Sequence, residues 1–227
     1  MESKDNRIMN EYKILEGISL FHGIGADDLA DILRCLNTVR KRYSRNQPLI
    51  SEGDEIKSLG IILTGSVQIV REDIAGNRML VAGLAAGDIF AETLACAGVK
   101  ESPLGVYANE ECTVLWVSVV RMVTTCSNAC GFHGLLISNL LRLLAEKNLF
   151  LNSRMELLSK RSTREKILAY LIAQPGSNKS GPFEIPLNRN EMADYLCIDR
   201  SAMSRELGRL RDEGIIDFHK NHFKFLI

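Results

Sequence analysis

No stretch of the chain approaches the roughly 18 consecutive apolar residues of a membrane-spanning helix, so a helical membrane protein is not expected. The first residues, MESKDNRIMN, are charged and hold no apolar run that could act as a signal peptide. A cytoplasmic location with no membrane partner is the expectation. Six cysteines (Cys35, Cys96, Cys112, Cys126, Cys130, Cys197) follow no framework spacing, and thiols in a chain without a secretory signal are expected to stay reduced. Net charge is absent as well: 28 Lys+Arg balance 28 Asp+Glu, so the whole chain is no polycation. Catalytic signatures are missing too. There is no Gly-rich phosphate loop, no HExxH and no GxSxG. Glu110-Glu111 and Asp27-Asp28 are neighbours that point apart on a strand or helix, which makes them poor acid/base pairs. An enzyme is not expected.

What is there is organised. At 227 residues the chain is about one and a half typical domains, and 46% apolar content suffices for real cores. Charge is distributed unevenly. Residues 153–227 hold 13 Lys+Arg against 10 Asp+Glu, a net of +3, whereas residues 1–152 hold 15 against 18. The positive end of the chain is therefore its C-terminal part.

Residues 11–36 have helical patterning: Ile14, Leu15 and Ile18 precede a Phe21–Gly25 turn, and Asp27 opens a second helix carrying Leu29, Ile32, Leu33 and Leu36. From about 38 to 120 the pattern changes to short apolar runs separated by glycine turns. Pro48–Ile50, Leu59–Leu63, Val67–Val70, Met79–Leu84 and Thr113–Val119 read as strands of an antiparallel sandwich or barrel. Phe132–Leu158 then reads as one long helix. Ile137, Leu144, Leu151 and Leu158 fill one heptad column, and Leu136, Leu143, Phe150 and Leu157 fill the next. With Leu140, Leu141 and Met155 the stripe is wide enough to pack on its own domain and on a second copy of itself; a buried helix of a monomer is the alternative.

Ser159–Arg161 reads as a polar hinge. Ser162 with Glu165 forms a capping-box pattern that opens a helix ending at Pro175-Gly176. Phe183, Ile185 and Leu187 alternate as a strand. Asn188 with Glu191 is a second capping box, and Asp199 is an N-cap for a helix that ends before Gly214. On a wheel of about 100° per residue, Met203, Leu207 and Leu210 share one face. Ser201, Arg205, Gly208 and Asp212 lie opposite, flanked by Ser204 and Arg209. Arginine can bond bidentately to guanine and serine to bases or phosphates, so this face suits a major-groove reader. An ordinary surface helix pair is the plainer alternative. Ile215–His219 and Phe223–Ile227 flank Lys220-Asn221 as a terminal hairpin, which completes a winged helix-turn-helix and brings Lys220 or Lys224 near phosphate.

In this order the local motifs Glu52-Gly53-Asp54, Thr64-Gly65-Ser66-Val67, Ala75-Gly76-Asn77, Gly87-Asp88-Ile89-Phe90-Ala91-Glu92 and Arg200–Leu210 resemble the CRP/FNR superfamily of bacterial transcription regulators over nearly the whole chain. The resemblance implies an α+β architecture. A cyclic-nucleotide-binding-type β-roll (jelly roll) with N-terminal helices would occupy residues 1–131, a dimerisation helix 132–158, a hinge 159–161 and a winged helix-turn-helix 162–227. It also implies a homodimer on pseudo-palindromic double-stranded DNA, a small-molecule effector in the β-roll, and RNA polymerase as a partner through the Gln174–Pro182 loop. Leu136, Ile137, Leu140, Leu143, Leu144, Phe150, Leu151 and Leu158 would then form the dimer seam. Arg189 matches the family's phosphate-contacting arginine, and Arg200 and Arg205 match its two recognition-helix arginines. Ser204-Arg205 resembles the Ser-Arg pair of the FNR branch. Ser201 departs from the pattern: many members have glutamate there.

The sensor end departs further. Gly87, Phe90, Ala91, Glu92, Thr93, Ser102, Phe150 and Leu151 match the family's effector pocket, and Glu92 matches the glutamate that holds the cAMP ribose. Where cAMP-binding members place Arg-Ser for the cyclic phosphate, this chain has Ser102-Pro103, and the family's Thr-Ser pair aligns with apolar Phe150-Leu151. An anionic phosphate needs a cation or several N–H donors, so cAMP binding in the family's manner is not expected and the effector is unidentified. An iron–sulfur cluster of the FNR type would need closely spaced N-terminal cysteines, and none precedes Cys35. Cys126 and Cys130 could form a redox pair or hold a metal, and His22 or His133 could ligate haem; structural roles for these residues are the expected alternative. A second functional reading is a cyclic-nucleotide-type, haem or redox sensor that acts on a protein partner instead of DNA.

Overall fold

The computed structural model describes residues 4–72, 78–124, 132–177 and 181–226. Contacts divide the chain into two compact units, residues 1–145 and 146–227. The first begins with helix α1 (Lys4–Gly17), a 3-10 turn at Ser19–Phe21 and helix α2 (Ala26–Cys35). Ala26, not Asp27, opens α2, and Gly25 precedes it without a side-chain cap. Leu29, Ile32 and Leu36, spaced for one helical face, are buried with Leu20 and Phe21 of the 3-10 turn.

Eight described strands follow: β1 (Val39–Tyr43), β2 (Pro48–Ile50), β3 (Ser58–Thr64), β4 (Ser66–Glu72), β5 (Arg78–Ala85), β6 (Ile89–Phe90), β7 (Gly105–Ala108) and β8 (Cys112–Ser118). They form two antiparallel four-stranded sheets, ordered β1-β8-β3-β6 and β2-β7-β4-β5. The expected β-roll is present. The middle of strand β3, Leu59–Leu63, is apolar without interruption because both its faces are covered. Leu59, Ile61 and Leu63 face the helices, while Ile62 joins the core between the sheets. The turn after β3 requires glycine: Gly65 has φ +76°, and a Cβ there would lie 2.4 Å from Glu111 O.

The turn at Ala75-Gly76-Asn77 lies outside the described residues. Strands β1, β6 and β7 are absent from the sequence-based expectation. The first, VRKRY, buries only Tyr43 and so shows no apolar alternation, and β6 has two residues. Two short helices are also additions, α3 (Glu92–Cys96) and α4 (Val119–Val123). Val119 was expected to end a strand, but it begins α4, where the Ser118 hydroxyl accepts from the Arg121 N–H at 3.4 Å.

Helix α5 (Phe132–Ser159) contributes to both units, since the division falls between Ala145 and Glu146. Within the first unit Leu136, Leu140 and Leu143 are buried in that unit's own core. Asn139 is buried among them and donates from Nδ2 to Leu20 O at 3.1 Å and His22 O at 2.8 Å. Leu136, Leu140 and Leu143 of the expected dimer seam thus pack against their own unit in the single chain. Leu149, Phe150, Leu151 and Met155 remain exposed, each by 59–70%.

The second unit adds α6 (Thr163–Ile172), β9 (Phe183–Glu184), α7 (Arg189–Leu196), α8 (Arg200–Asp212) and the hairpin β10 (Ile216–His219) and β11 (His222–Phe225). Both expected capping boxes form, at Ser162/Glu165 and Asn188/Glu191. The strand expected over Phe183–Leu187 shrinks to two residues because Pro186 has no N–H for a ladder. Ile185 still donates to Asn221 O at 2.9 Å. No helix of the described residues is long and apolar enough to cross a membrane.

Candidate nucleic-acid interface and sensor site

Helix α8 is positioned by its buried side. Met203, Leu207 and Leu210 are at most 1% exposed and pack with Ile167, Tyr170 and Leu171 of α6 and Met192 and Leu196 of α7. Each such side chain stabilises the unit by about 1.5–3 kcal/mol. An ion-pair clamp adds orientation. Arg164 of α6 makes a two-pronged pair with Glu213, one bond measuring 2.9 Å, and reaches Glu206 at 3.5 Å. Arg164 had no signal in the sequence, because its partners lie 42 and 49 residues away.

The opposite side of α8 is exposed and ordered by its own polar groups. Asp199 caps the helix by accepting from the Ala202 N–H at 2.9 Å. The Ser201 hydroxyl donates to Asp199 Oδ1 at 2.5 Å, and Arg205 Nη1 donates to Ser201 Oγ at 3.2 Å. These bonds hold the Asp199 carboxyl below the usual carboxylate range, the Ser201 hydroxyl contributing most. Ser204 turns its hydroxyl back to Arg200 O at 2.9 Å. Arg209 pairs with Glu206 at 3.3 Å. The expected set Arg200, Ser201, Ser204, Arg205 and Arg209 is thus brought together on one exposed helix.

Arg189 is placed differently. It opens α7 half-buried, with its guanidinium 4.8 Å from the Phe218 ring and 4.9 Å from the Phe223 ring of the hairpin. Its Nη2 is buried without a hydrogen-bond partner, and burial lowers its pKa. Arg189 is therefore stacked beneath the wing aromatics. Lys220 and Lys224 of the hairpin are exposed. Lys220 occupies the hairpin turn with φ +53°.

In the first unit, β6 leads into α3 through Ala91, a non-glycine residue at φ +61°. This strained junction buries Phe90 and Glu92, at 2% and 5% exposure. Thr93 Oγ1 donates to Glu92 Oε1 at 3.2 Å. Gly87 sits in the preceding turn and donates to Ile62 O at 2.8 Å. The segment expected at a cyclic phosphate has no donors left. The Ser102 N–H is given to Asp54 O at 2.8 Å, and the Ser102 hydroxyl to Leu104 O at 2.7 Å. Pro103 has no N–H, and the Leu104 N–H turns to Ser102 Oγ at 3.3 Å. The residues present do not fit the cyclic phosphate of a bound nucleotide. Phe150 and Leu151 belong to the second unit and are exposed there.

His133 is buried and His22 exposed. Cys126 and Cys130 lie outside the described residues. Among the described residues no group of three His, Cys, Asp or Glu side chains is arranged to hold a metal ion.

The model of the cyclic nucleotide-binding domain matches residues 40–127, and that of the Crp-like helix-turn-helix domain matches residues 165–227. Together they cover about two thirds of the chain. The chain is 24% identical over 207 residues to the cyclic AMP receptor protein of Thermus thermophilus, covering 89% of each. It is also 24% identical over 183 residues to the fumarate nitrate reduction regulatory protein of Klebsiella oxytoca, covering 78% of this chain and 70% of that one. The crystal structure of the Thermus thermophilus catabolite activator protein superposes with a TM-score of 0.54 at 22% identity, covering 91% of this chain and 93% of that one, which shows a shared fold. A sensor-type β-roll, a long helix and a DNA-binding winged helix-turn-helix, in this order and with these matches, make the chain a member of the Crp/Fnr superfamily of transcription regulators.

Proposed function

We propose that the protein acts as a homodimer on a pseudo-palindromic DNA site and answers to a small molecule other than cAMP. The observation that carries the DNA reading is the exposed chain Asp199–Ser201–Arg205 along α8. It holds an arginine fork and a hydroxyl on the face opposite the buried Met203, Leu207 and Leu210. Arg205 is assigned to a base edge, Ser201 to a base or phosphate, and Arg200, Ser204 and Arg209 to the flanking backbone. Arg189 adds a phosphate contact from beneath the wing. Residues 132–158 are the dimerisation helix in this reading. Leu149, Phe150, Leu151 and Met155, exposed in the single chain, supply its seam with Ile137, Leu144 and Leu158.

The hinge at 159–161 then sets the two reading units, 162–227 of each copy, into successive major grooves about 34 Å apart. An effector held at the β6–α3 junction shifts this equilibrium only by its differential affinity for the two arrangements, typically about 1–3 kcal/mol. The used-up donors at Ser102–Leu104 support the exclusion of cAMP. RNA polymerase is the further partner, through the loop at 174–182.

Selection from a random duplex pool, followed by anisotropy titration at several salt concentrations, tests the reading. The expected result is an enriched inverted repeat whose affinity falls steeply with salt. An unenriched pool together with salt-independent binding would leave the sensor acting on a protein partner. Micromolar heat of binding for cAMP in a calorimeter would overturn the exclusion of that nucleotide.

A further inference from the structure

A cavity of about 420 Å3 opens on the first unit away from the β6–α3 junction. Val39, Lys41 and Tyr43 line it from β1, Leu49 from β2, Ile56 from the following loop, and Trp116 from β8. Alternate residues of a strand share a face, so β1 delivers all three of its side chains to one wall. Trp116 is half-buried there, and its Nε1 donates to the Tyr43 hydroxyl at 2.9 Å, which holds the indole in place. The charges at the rim are mostly used. Glu55 pairs with Lys57 at 2.7 Å, and the Asp54 carboxylate accepts from the Ser51 N–H at 2.7 Å. Lys41 makes no ion pair among the described residues. A fixed aromatic wall, aliphatic flanks and one cation make a site for a flat apolar molecule bearing one negative group.

The site is wired into the sheet. One row of register partners runs across it: Val39 opposite Trp116, Trp116 opposite Gly60, and Gly60 opposite Phe90. Gly60 has no side chain, and the Phe90 ring fills that space and meets Trp116 edge-on at 5.3 Å. Phe90 is followed directly by Ala91 in its strained conformation and by buried Glu92. A molecule lying on Trp116 therefore presses, through one aromatic contact, on the junction assigned to the effector.

We propose that the cavity on Trp116 is a second small-molecule site, for a planar aromatic carboxylate, distinct from the Glu92 junction. Its existence does not depend on the DNA reading, and its test does not use DNA. Trp116 is the single tryptophan of the chain, so its indole N–H gives one resonance in a 15N-labelled sample.

The probe is 1-naphthoate, titrated into the full chain. A ligand of 13 non-hydrogen atoms is expected to half-saturate at roughly 1 mM or below. The expected result is a saturable shift of that resonance. Lys41→Gln should weaken it about three- to fivefold, as loss of a solvent-exposed charge pair does. Val39→Asp, on an exposed position, should weaken it further by placing a carboxylate beside the probe; circular dichroism confirms that both variants keep the fold. A resonance that does not move to saturation, or equal half-saturation in the original and both folded variants, overturns the proposal.

Discussion

Phe90 and Trp116 meet edge to face across Gly60, with ring centroids 5.3 Å apart and planes at 78°. A Cβ on Gly60 would lie 2.3 Å from the Phe90 ring. Gly60→Ala should therefore destabilise the first unit by about 1–3 kcal/mol, the usual cost of overpacking. Pairing it with Phe90→Leu should recover part of the loss, because the clash is with the ring. Chemical denaturation of the four variants of this cycle checks it; strict additivity would place the cost elsewhere.

Arg205→Ala should weaken binding at the enriched DNA site by about 1–3 kcal/mol and relax preference at one base position. Equal losses on that site and on random duplex would reduce Arg205 to a phosphate contact. Anisotropy titrations at matched salt separate the two.

Gly208 lies on the outward side of α8, and a Cβ there meets nothing within 4 Å. Gly208→Ala should raise the stability of the free protein by about 0.5–1 kcal/mol, since alanine loses less backbone freedom in a helix. If α8 enters the groove along this line, the same change lowers DNA affinity. Thermal melting and DNA titration on one variant should move in opposite directions.

Phe150→Asp with Leu151→Asp should convert a dimer to monomer in light scattering while leaving the melting of the protomer cores nearly unchanged, because both side chains are exposed in the single chain. Leu136→Ala should do the reverse. It removes a fully buried side chain and should cost about 2–5 kcal/mol of stability.

Three carboxyls of the second unit are held below their usual range. Asp199 is lowered chiefly by the Ser201 hydroxyl, Glu165 by the Ser162 N–H and Glu213 by Arg164. Each binds protons less readily folded than unfolded. The stability they contribute is thus complete above the unfolded carboxylate range, near pH 4, and is lost as pH falls through the lower folded values. Melting of the second unit should shift down between about pH 5 and pH 3, and Asp199→Asn should flatten part of that slope. An unchanged slope in this variant would show that the Asp199 bonds do not contribute.

The helix-turn-helix was readable because its determinants are local. Caps sit three residues from their partners, and the 3.6-residue period separates the buried face of α8 from the polar one. The turns at Gly65 and Gly87 and the continuous apolar run of β3 were equally local. The small or polar strands were not: β1 hides behind four exposed residues, and Pro186 cuts short an apparent alternation.

Local spacing and side-chain chemistry thus determined the order of elements, the exposed polar face of α8 and the lack of a phosphate anchor at Ser102-Pro103. Burial was decided only by the tertiary structure. It spends Leu136, Leu140 and Leu143 on their own core, wedges Arg189 under the wing aromatics and clamps α8 to α6 through Arg164. It also builds a cavity on the single tryptophan from strands far apart in sequence. The physical reason is the same in each case. A periodic pattern states that a face is apolar or charged, but which surface meets it depends on partners tens of residues away, and only folding brings those together.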